Sequence, residues 1–495
     1  MAVETELKLH ISPEHLQKLK HHPWLRSLSA TRARTLKLYS IYYDTADLEL
    51  HRQAMALRLR KVGRQFLQTL KGGGQVSAGL HQRNEWETPV LSEQLDFAAL
   101  KACGGELPHG VRSRLQPVFV TDFARNVRLL KFDGAEIELC MDSGEIRAGQ
   151  ASCPISELEL ELKSGSPHQL FKLALALLDI VPLQVEHTSK AEYGYLLFSA
   201  SKPSASKGQF PALKKSQSIT SALQNLVGAC LAHVQSNVPG ALLKLDEEYL
   251  HQVRVGLRRL RVALSIVQRF HSDAELSALR EQVARLCVEL GHSREWDVFV
   301  TQTLASICTR LPEHVGLREV LSASELARKL QHAGMERNLA SPEFQRLLLR
   351  FGAWMHGEQW GAVETPPEQF AVETLKKRYK LVVKHGNALS GEVAVQLHAL
   401  RIACKKLRYS TEMFGSLFNE SRTRRYMAVL AQLQDILGTL NDIAVAHRIL
   451  NELDNATRHD TLALIRGWME HDYAERVAEL GKVWKRFADQ KGFWD

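Results

Sequence analysis

The stretch Glu4-Thr5-Glu6-Leu7-Lys8 alternates charged residues with others. Successive strand residues point to opposite faces, so Glu4, Glu6 and Lys8 share one face, while Val3, Leu7 and Leu9 share the other. Taken alone, this is an amphipathic strand with its charged face in water. The pattern recurs, however. Leu57-Arg58-Leu59-Arg60 alternates in the same way, and Glu157, Glu159 and Glu161 share one face of the run 156–163. Glu85 and Glu87 flank Trp86, and Glu136 and Glu138 flank Ile137. Several strands with one ionic and one apolar face are explained by a closed barrel. Its lumen would be charged, and its apolar outside would pack under helices.

Such a lumen collects carboxylates from Glu4, Glu6, Asp142, Glu159 and Glu161, and cations from Lys8, Arg58, Arg60, Lys71 and Arg125. Arg and Lys grip phosphoryl oxygens. Carboxylates do not bind phosphate directly, but they hold Mg2+ or Mn2+, which bridges to it. A linear polyanion with a divalent metal suits this lining, and the expected chemistry is metal-assisted phosphoryl transfer to water. No Ser-His-Asp or Cys-His set stands out, so a covalent intermediate is not expected. Gly72-Gly73-Gly74 has no Lys-Ser/Thr after it and reads as the end of a strand rather than a phosphate loop.

The elements that must carry these residues follow from the pattern. Strands are predicted over 36–43, 55–62, 65–71, 84–90, 119–132, 136–142, 144–148 and 156–163, with helices over 13–20 and 167–179. Residues 201–216 have linker composition. From 217 to 495 the period is helical, so an α+β chain is expected, with domains at 1–200 and 217–495. The second half contains a repeat. His251, Arg254, Arg258 and Arg261 align with His398, Arg401, Lys405 and Arg408 at an offset of 147 residues. The same offset carries Leu290-Gly291 onto Leu437-Gly438 and Val298 onto Val445. Two related helical bundles are implied. On a helix each basic set spans an arc of roughly 80°, at about 100° per residue. A solvated helix face usually mixes both signs, and these stripes hold no acid.

Of 495 residues, 45% are hydrophobic and 24% charged, as in globular proteins, and the length calls for more than one core. The net charge of +9 is uneven. Residues 1–200 hold 24 Lys and Arg against 23 Asp and Glu, whereas the remainder holds 40 against 32. The basic excess points to a polyanionic partner. Few aromatics interleave the basic residues, and base stacking needs them, so polyphosphate is favoured over nucleic acid. Seven scattered cysteines without C-x-x-C argue against disulfides or zinc. No signal peptide or membrane span is read, so a cytoplasmic protein with no membrane partner is expected.

The ordered set Glu4-x-Glu6-x-Lys8, Arg58-x-Arg60, Lys71, Glu85-x-Glu87, Arg125, Glu138 with Asp142, Glu157-x-Glu159-x-Glu161 and Ser189-Lys190 resembles the CYTH domain of triphosphate tunnel metalloenzymes. The resemblance implies an eight-stranded antiparallel tunnel that binds triphosphate with Mg2+ or Mn2+. Its members hydrolyse inorganic triphosphate, thiamine triphosphate or RNA 5′-triphosphates, or cyclise nucleotides. Gly79-Leu80-His81-Gln82-Arg83 is most similar to the inorganic triphosphatases. Lys190 would then position the attacking water, so Lys8 and Lys190 are the catalytic candidates. The repeated basic helices resemble the CHAD domain, which implies two pseudo-symmetric four-helix bundles binding polyphosphate. The alternatives are a polyphosphate binder with little turnover, or a hydrolase of thiamine triphosphate or nucleotides.

Overall fold

The structure, a computed structural model, describes residues 2–77, 79–200, 203–358, 360–361, 365–389, 394–453 and 459–495. The chain divides into two compact units. One comprises Met1–Lys207, Leu231–Leu250 and Ala340–Gln359; the other comprises Gly208–Cys230, His251–Leu339 and Trp360–Asp495.

In the first unit, eight long antiparallel strands close into a barrel. They are β1 (Ala2–His10), β2 (Arg34–Asp44), β3 (Met55–Val62), β4 (Gln65–Ser77), β5 (Leu80–Val90), β6 (Gln116–Phe132), β7 (Ala135–Ala148) and β8 (Ala151–Ser164). The order is β5-β4-β3-β2-β6-β7-β8-β1, and β1 pairs back onto β5. The two-residue β9 (Gln184–Val185) adds to β1. Alternation does what the pattern predicted. Leu7, Leu9, Ile137, Leu139, Leu158 and Leu160 are fully buried, and the helix Pro167–Leu178 packs over β1 and β8. That helix starts from a Ser166–Gln169 capping box with Pro167 in its first turn, and it buries Leu170, Phe171, Leu173, Ala174 and Leu177.

Two expectations change. β4 does not stop at Lys71 but runs on through Gly72-Gly73-Gly74. The register slips there, Gly73 has φ +62°, and a Cβ on Gly74 would lie 2.3 Å from the Gln82 carbonyl oxygen. The glycines make a bulge that keeps the strand paired rather than ending it. The two strands expected at 136–142 and 144–148 are one continuous strand, β7.

The helix Pro342–Met355 belongs to the barrel's unit although it lies far along the sequence. It packs on the helix Pro167–Leu178 and on β9. His168 Nδ1 lies 2.8 Å from the Ala353 carbonyl oxygen, and the Val185 N–H donates to Gln345 Oε1 at 2.9 Å.

The described residues of the helical half carry the repeat. Its helices are Ile219–Gln235, Glu247–Val267, Ala274–Val298 and Val315–Ala340, then Pro367–Asn387, Ala394–Phe414, Glu420–Leu453 and His459–Ala488. Of the second four, Pro367–Asn387 and Glu420–Leu453 begin within one residue of the position that the 147-residue offset predicts. Trp296 and Leu317 from the first set, with Phe299 and Leu304 of the π-helical segment Phe299–Leu304 between them, share a core with Ile449, Leu450, Leu462 and Ile465 from the second. Of the expected linker, residues 201–202 lie outside the described residues. Residues 203–214 have no helix or strand, yet Arg259 Nη1 donates to the Gly208 carbonyl at 2.6 Å and the Leu213 N–H donates to Ser416 Oγ at 3.0 Å. Among the described residues, no helix is long and apolar enough to cross a membrane.

The packing of the late helix on the barrel's unit is testable. A Cβ on Gly352 would lie 2.0 Å from the Phe171 ring. Gly352→Val should therefore destabilise this unit by about 1–3 kcal/mol, the usual cost of overpacking. Denaturant unfolding would read it as a lower midpoint for the barrel, and an unchanged midpoint would contradict this packing.

Candidate active site

Strand register builds the lumen. Residues directly opposite on antiparallel strands carry side chains on the same face, about 5 Å apart. Lys8 of β1 stands opposite Glu159 of β8, Lys71 of β4 opposite Glu85 of β5, and Arg125 of β6 opposite Asp142 of β7. Each of these becomes an ion pair. Lys8 bonds Glu159 and lies 3.0 Å from Glu6. Lys71 bonds Glu4 and lies 3.5 Å from Glu85. Arg125 makes a fork to Asp142 at 2.8 and 2.6 Å and also bonds Glu159. Arg58 reaches Glu85 at 3.5 Å, and Arg60 Nε donates to Ser40 Oγ at 3.1 Å. Lys190 comes from the first residue of the helix Lys190–Ser199, which Ser189 caps. Its ammonium meets Asp142 at 2.7 Å, Glu159 at 3.1 Å, and Glu157.

Burial makes these charges costly, and their partners decide the protonation. Burial would raise the Glu6 carboxyl, yet the Lys8 ammonium brings it down to about 2. Glu159 is likewise held well below the usual range, against burial, by Arg125, Lys190 and Lys8. Lys8 and Lys190 stay charged because their carboxylate neighbours outweigh desolvation. For Glu157 burial wins over Lys190 and Lys8 and pushes the carboxyl up to about 7.

Of the residues named from sequence, Glu4, Glu6, Lys8, Arg58, Arg60, Lys71, Arg125, Glu159 and Lys190 line one cavity. Asp142 lies fully buried behind them. Glu161 stands directly across from Glu6 but pairs with Lys163 at 2.6 Å and is partly exposed. Lys163 thus holds a carboxylate at the rim. Four residues outside the proposed ligand set also belong to the lumen. Glu157 has carboxylate oxygens within 4.8 Å of those of Asp142 and Glu159. Arg83 and Tyr42 line the cavity, and Glu85 bridges Arg58 and Lys71. The parity of β5 and β8 carried the signal for Arg83, Glu85 and Glu157. Nothing in the sequence marks Tyr42, which depends on the pairing of β2 with β3. The Nε of Arg58 is buried with no protein acceptor, so the lumen keeps an unmet donor.

The barrel interior is not ionic throughout. Leu38, Tyr42, Phe119, Phe123, Ile146 and Ile155 form an apolar cluster with Tyr195 of the helix Lys190–Ser199. A second cavity of about 210 Å³ adjoins the first and shares Ala56, Lys71, Arg83, Ser189 and Ala191 with it. Met55, Val76 and the stacked rings of His51 and Tyr195, 4.3 Å apart, give it a more apolar wall.

In the helical unit the two basic stripes converge. Burial, then Arg258 and Arg294, lower Arg254 to about 9. Burial lowers Arg401; Asp442 partly offsets this and Arg258 adds to it. Burial, Arg401 and Arg258 bring Lys405 down to about 7. The stripes hold no acid of their own, but Glu295 and Asp442, which are equivalent in the repeat, face them. Arg408 is engaged elsewhere, with Glu412 and Gln434 at 3.0 Å each. His398 lies 3.2 Å from Asn441 Oδ1. Arg261 is exposed and His251 half-buried.

Comparison with known proteins agrees with this architecture. The CYTH domain model matches residues 2–195, and the CHAD domain model matches residues 225–451. Over 199 residues the chain is 37% identical to the inorganic triphosphatase of Haemophilus influenzae, a match covering 40% of this chain and 56%, about half, of that relative. The crystal structure of the CHAD domain from the plant Ricinus communis is similar, with 30% identity and a TM-score of 0.53. That match covers 58% of this chain and 98% of the plant chain. With its closed ionic barrel and its duplicated helical half, the chain belongs to the proteins that join a CYTH domain to a CHAD domain.

Proposed function

We propose that the barrel is a metal-dependent hydrolase that cleaves inorganic triphosphate to pyrophosphate and phosphate, and that the helical half binds long-chain polyphosphate. The observation that carries the first reading is the single cavity in which Lys8, Arg58, Arg60, Lys71 and Arg125 converge beside Glu4, Glu6 and Glu159. The Haemophilus influenzae relative supports the choice of substrate.

The carboxylates fit a hard divalent cation. They offer only oxygen donors, and Asp142, Glu157 and Glu159 bring theirs within 4.8 Å of one another. Glu4, Glu6, Asp142 and Glu159 would hold Mg2+ or Mn2+, with Glu161 across from Glu6 at the rim. The bound ion would supply charge neutralisation and alignment of the nucleophile. The chain's own residues do the rest. Arg58, Arg60, Lys71, Lys8 and Arg125 grip the phosphoryl oxygens and spread the charge that develops on them. Lys190, kept charged by Asp142, Glu157 and Glu159, orients the attacking water by donating to its oxygen. Water adds to the terminal phosphorus, the bridging P–O bond breaks, and pyrophosphate leaves.

A second reading has one specific observation behind it. The adjoining 210 Å³ cavity has apolar and aromatic walls with one carboxylate, Glu192, and would seat the organic group of a triphosphate ester better than more phosphate. Phosphate release from tripolyphosphate, ATP and thiamine triphosphate, with and without Mg2+ or Mn2+, separates the two.

Three outcomes are expected. Glu4→Gln and Glu6→Gln should each lower turnover by about two orders of magnitude or more at saturating metal, as loss of one strong electrostatic group does. Near-normal phosphate release from folded protein would sink the assignment. Reversing charge at Arg254, Arg258, Arg401 and Lys405 together should abolish polyphosphate binding and its steep salt dependence while tripolyphosphate turnover survives. Binding with an unchanged salt slope would show that the stripes are merely solvated faces.

The third outcome concerns protons. Burial, with Arg401, Arg258 and Arg254, disfavours the charge on Lys405 and Asp442 favours it, leaving Lys405 at about 7. A bound polyanion favours the ammonium and raises that value, so binding at pH 7–8 should take up protons. Affinity should fall as pH rises from 6 to 9. Calorimetry in buffers of different ionisation enthalpy reads the uptake, and Lys405→Arg, whose cation does not titrate there, should lose it. A binding enthalpy independent of buffer would contradict the linkage.

A further inference from the structure

Tyr42 brings a neutral hydroxyl among the proposed phosphate-gripping cations on β3. It stands opposite Arg58 in the ladder between β2 and β3, and Ser40, two residues before it, stands opposite Arg60. It is 5% exposed and lines the same cavity as Arg58, Arg60 and Lys71. Its ring is fixed from behind. Tyr42 stacks on Phe119 with centroids 4.4 Å apart and 18° between planes, and Phe119 meets Tyr195 edge-on at 5.0 Å. An aromatic side chain has two χ angles, and this stack restricts both, so the hydroxyl is held at the boundary between the apolar cluster and the cation face.

Packing alone does not call for that hydroxyl. Phe119, its stacking partner, fills the neighbouring place without one. Burial would make the phenol harder to ionise, yet Arg58 and Arg60 lower its pKa; the oxygen accepts a hydrogen bond from the Arg58 side chain, which leaves the phenolic O–H to donate onward. A polarised phenolic O–H donates a strong hydrogen bond to an anionic oxygen, and it adds no charge to a lumen already crowded with cations. Its fixed place also marks where the ionic lining gives way to the buried apolar cluster, so a phosphate chain entering the cation face reaches this hydroxyl as it reaches Arg58 and Arg60.

We propose that the Tyr42 hydroxyl is a substrate-binding group, donating a hydrogen bond to the phosphoryl group that Arg58 and Arg60 grip. The proposal rests on reading the barrel as a triphosphate site. The hydroxyl meets the same oxygen before and during reaction, so it contributes to binding in the ground state and the transition state alike.

The test is Tyr42→Phe, which keeps the ring and its stack and removes one oxygen. The KM for tripolyphosphate should rise roughly tenfold, the scale of one hydrogen bond to a charged group, with kcat within about twofold. Calorimetric titration of metal-free protein with tripolyphosphate should show a similar loss of affinity, and the thermal midpoint should not fall. Tyr42→Leu serves as the packing control and should lower the midpoint. Wild-type KM and affinity in Tyr42→Phe would reduce the residue to core packing and overturn the proposal. So would a fall in kcat at unchanged KM, which would place the contact in the transition state only. If wild-type protein proves not to hydrolyse tripolyphosphate, the functional reading fails by itself. The titration then still decides on Tyr42, because equal affinities overturn its role and a roughly tenfold loss upholds it.

Discussion

Everything in the barrel depends on how ionised groups are kept inside a closed sheet. Each buried charge loses hydration worth several kcal/mol, and only a close opposite charge restores it. The sheet supplies that partner through register. Lys8 with Glu159, Lys71 with Glu85 and Arg125 with Asp142 are cross-strand neighbours, so closing the barrel and pairing the charges are one event. Lys190, arriving from a helix, completes the set by joining Asp142, Glu157 and Glu159. The resulting dipoles and charges are fixed before any ligand arrives, which is the condition for electrostatic preorganisation.

The same closure explains why the lumen changes character along its length. Where the helix Lys190–Ser199 packs on β6, β7 and β8, inward-facing positions are Phe119, Phe123, Ile146 and Ile155, and they form a conventional core. Away from it lie the ionic inward positions, with Ser40 and Thr69 among them. The helix therefore does two things: its aromatic residues fill one part of the barrel, and its first residue places an ammonium in the other. The outer wall needs cover of its own, and the helix Pro342–Met355, from far along the chain, joins the Pro167–Leu178 helix in providing it.

The two halves handle positive charge in opposite ways. In the barrel Lys8, Arg58, Lys71, Arg125 and Lys190 each have a carboxylate within 3.5 Å, a balance that suits a ligand arriving with a metal ion. In the helical unit burial and Arg258 disfavour the charge on Arg254, Arg401 and Lys405, with Glu295 and Asp442 as partial compensation. A cluster with excess charge of one sign is poised to gain from a polyanion that brings its own negative charge. The duplication makes this possible, because equivalent helices bring equivalent cations to one place.

Much of this was legible in the chain itself. Strict alternation in Glu4 to Lys8 and Glu157 to Lys163 determined which residues face inward, because a strand has a period of two whatever its partners. The offset of 147 residues determined the duplicated helices, because helical period and basic stripe repeat together. Local pattern could not reveal that Gly72 to Gly74 bulge rather than terminate, since that depends on the β5 backbone beside Gly74. It could not reveal that Glu161 would be held by Lys163 at the rim while Glu157 lies deep, since burial follows from barrel closure and not from parity. Nor could it mark Tyr42, an ordinary strand tyrosine until β2 is paired with β3 and Arg58 becomes its neighbour. Which residues face the lumen is a property of one strand; which of them meet, and how deeply, is a property of the closed sheet.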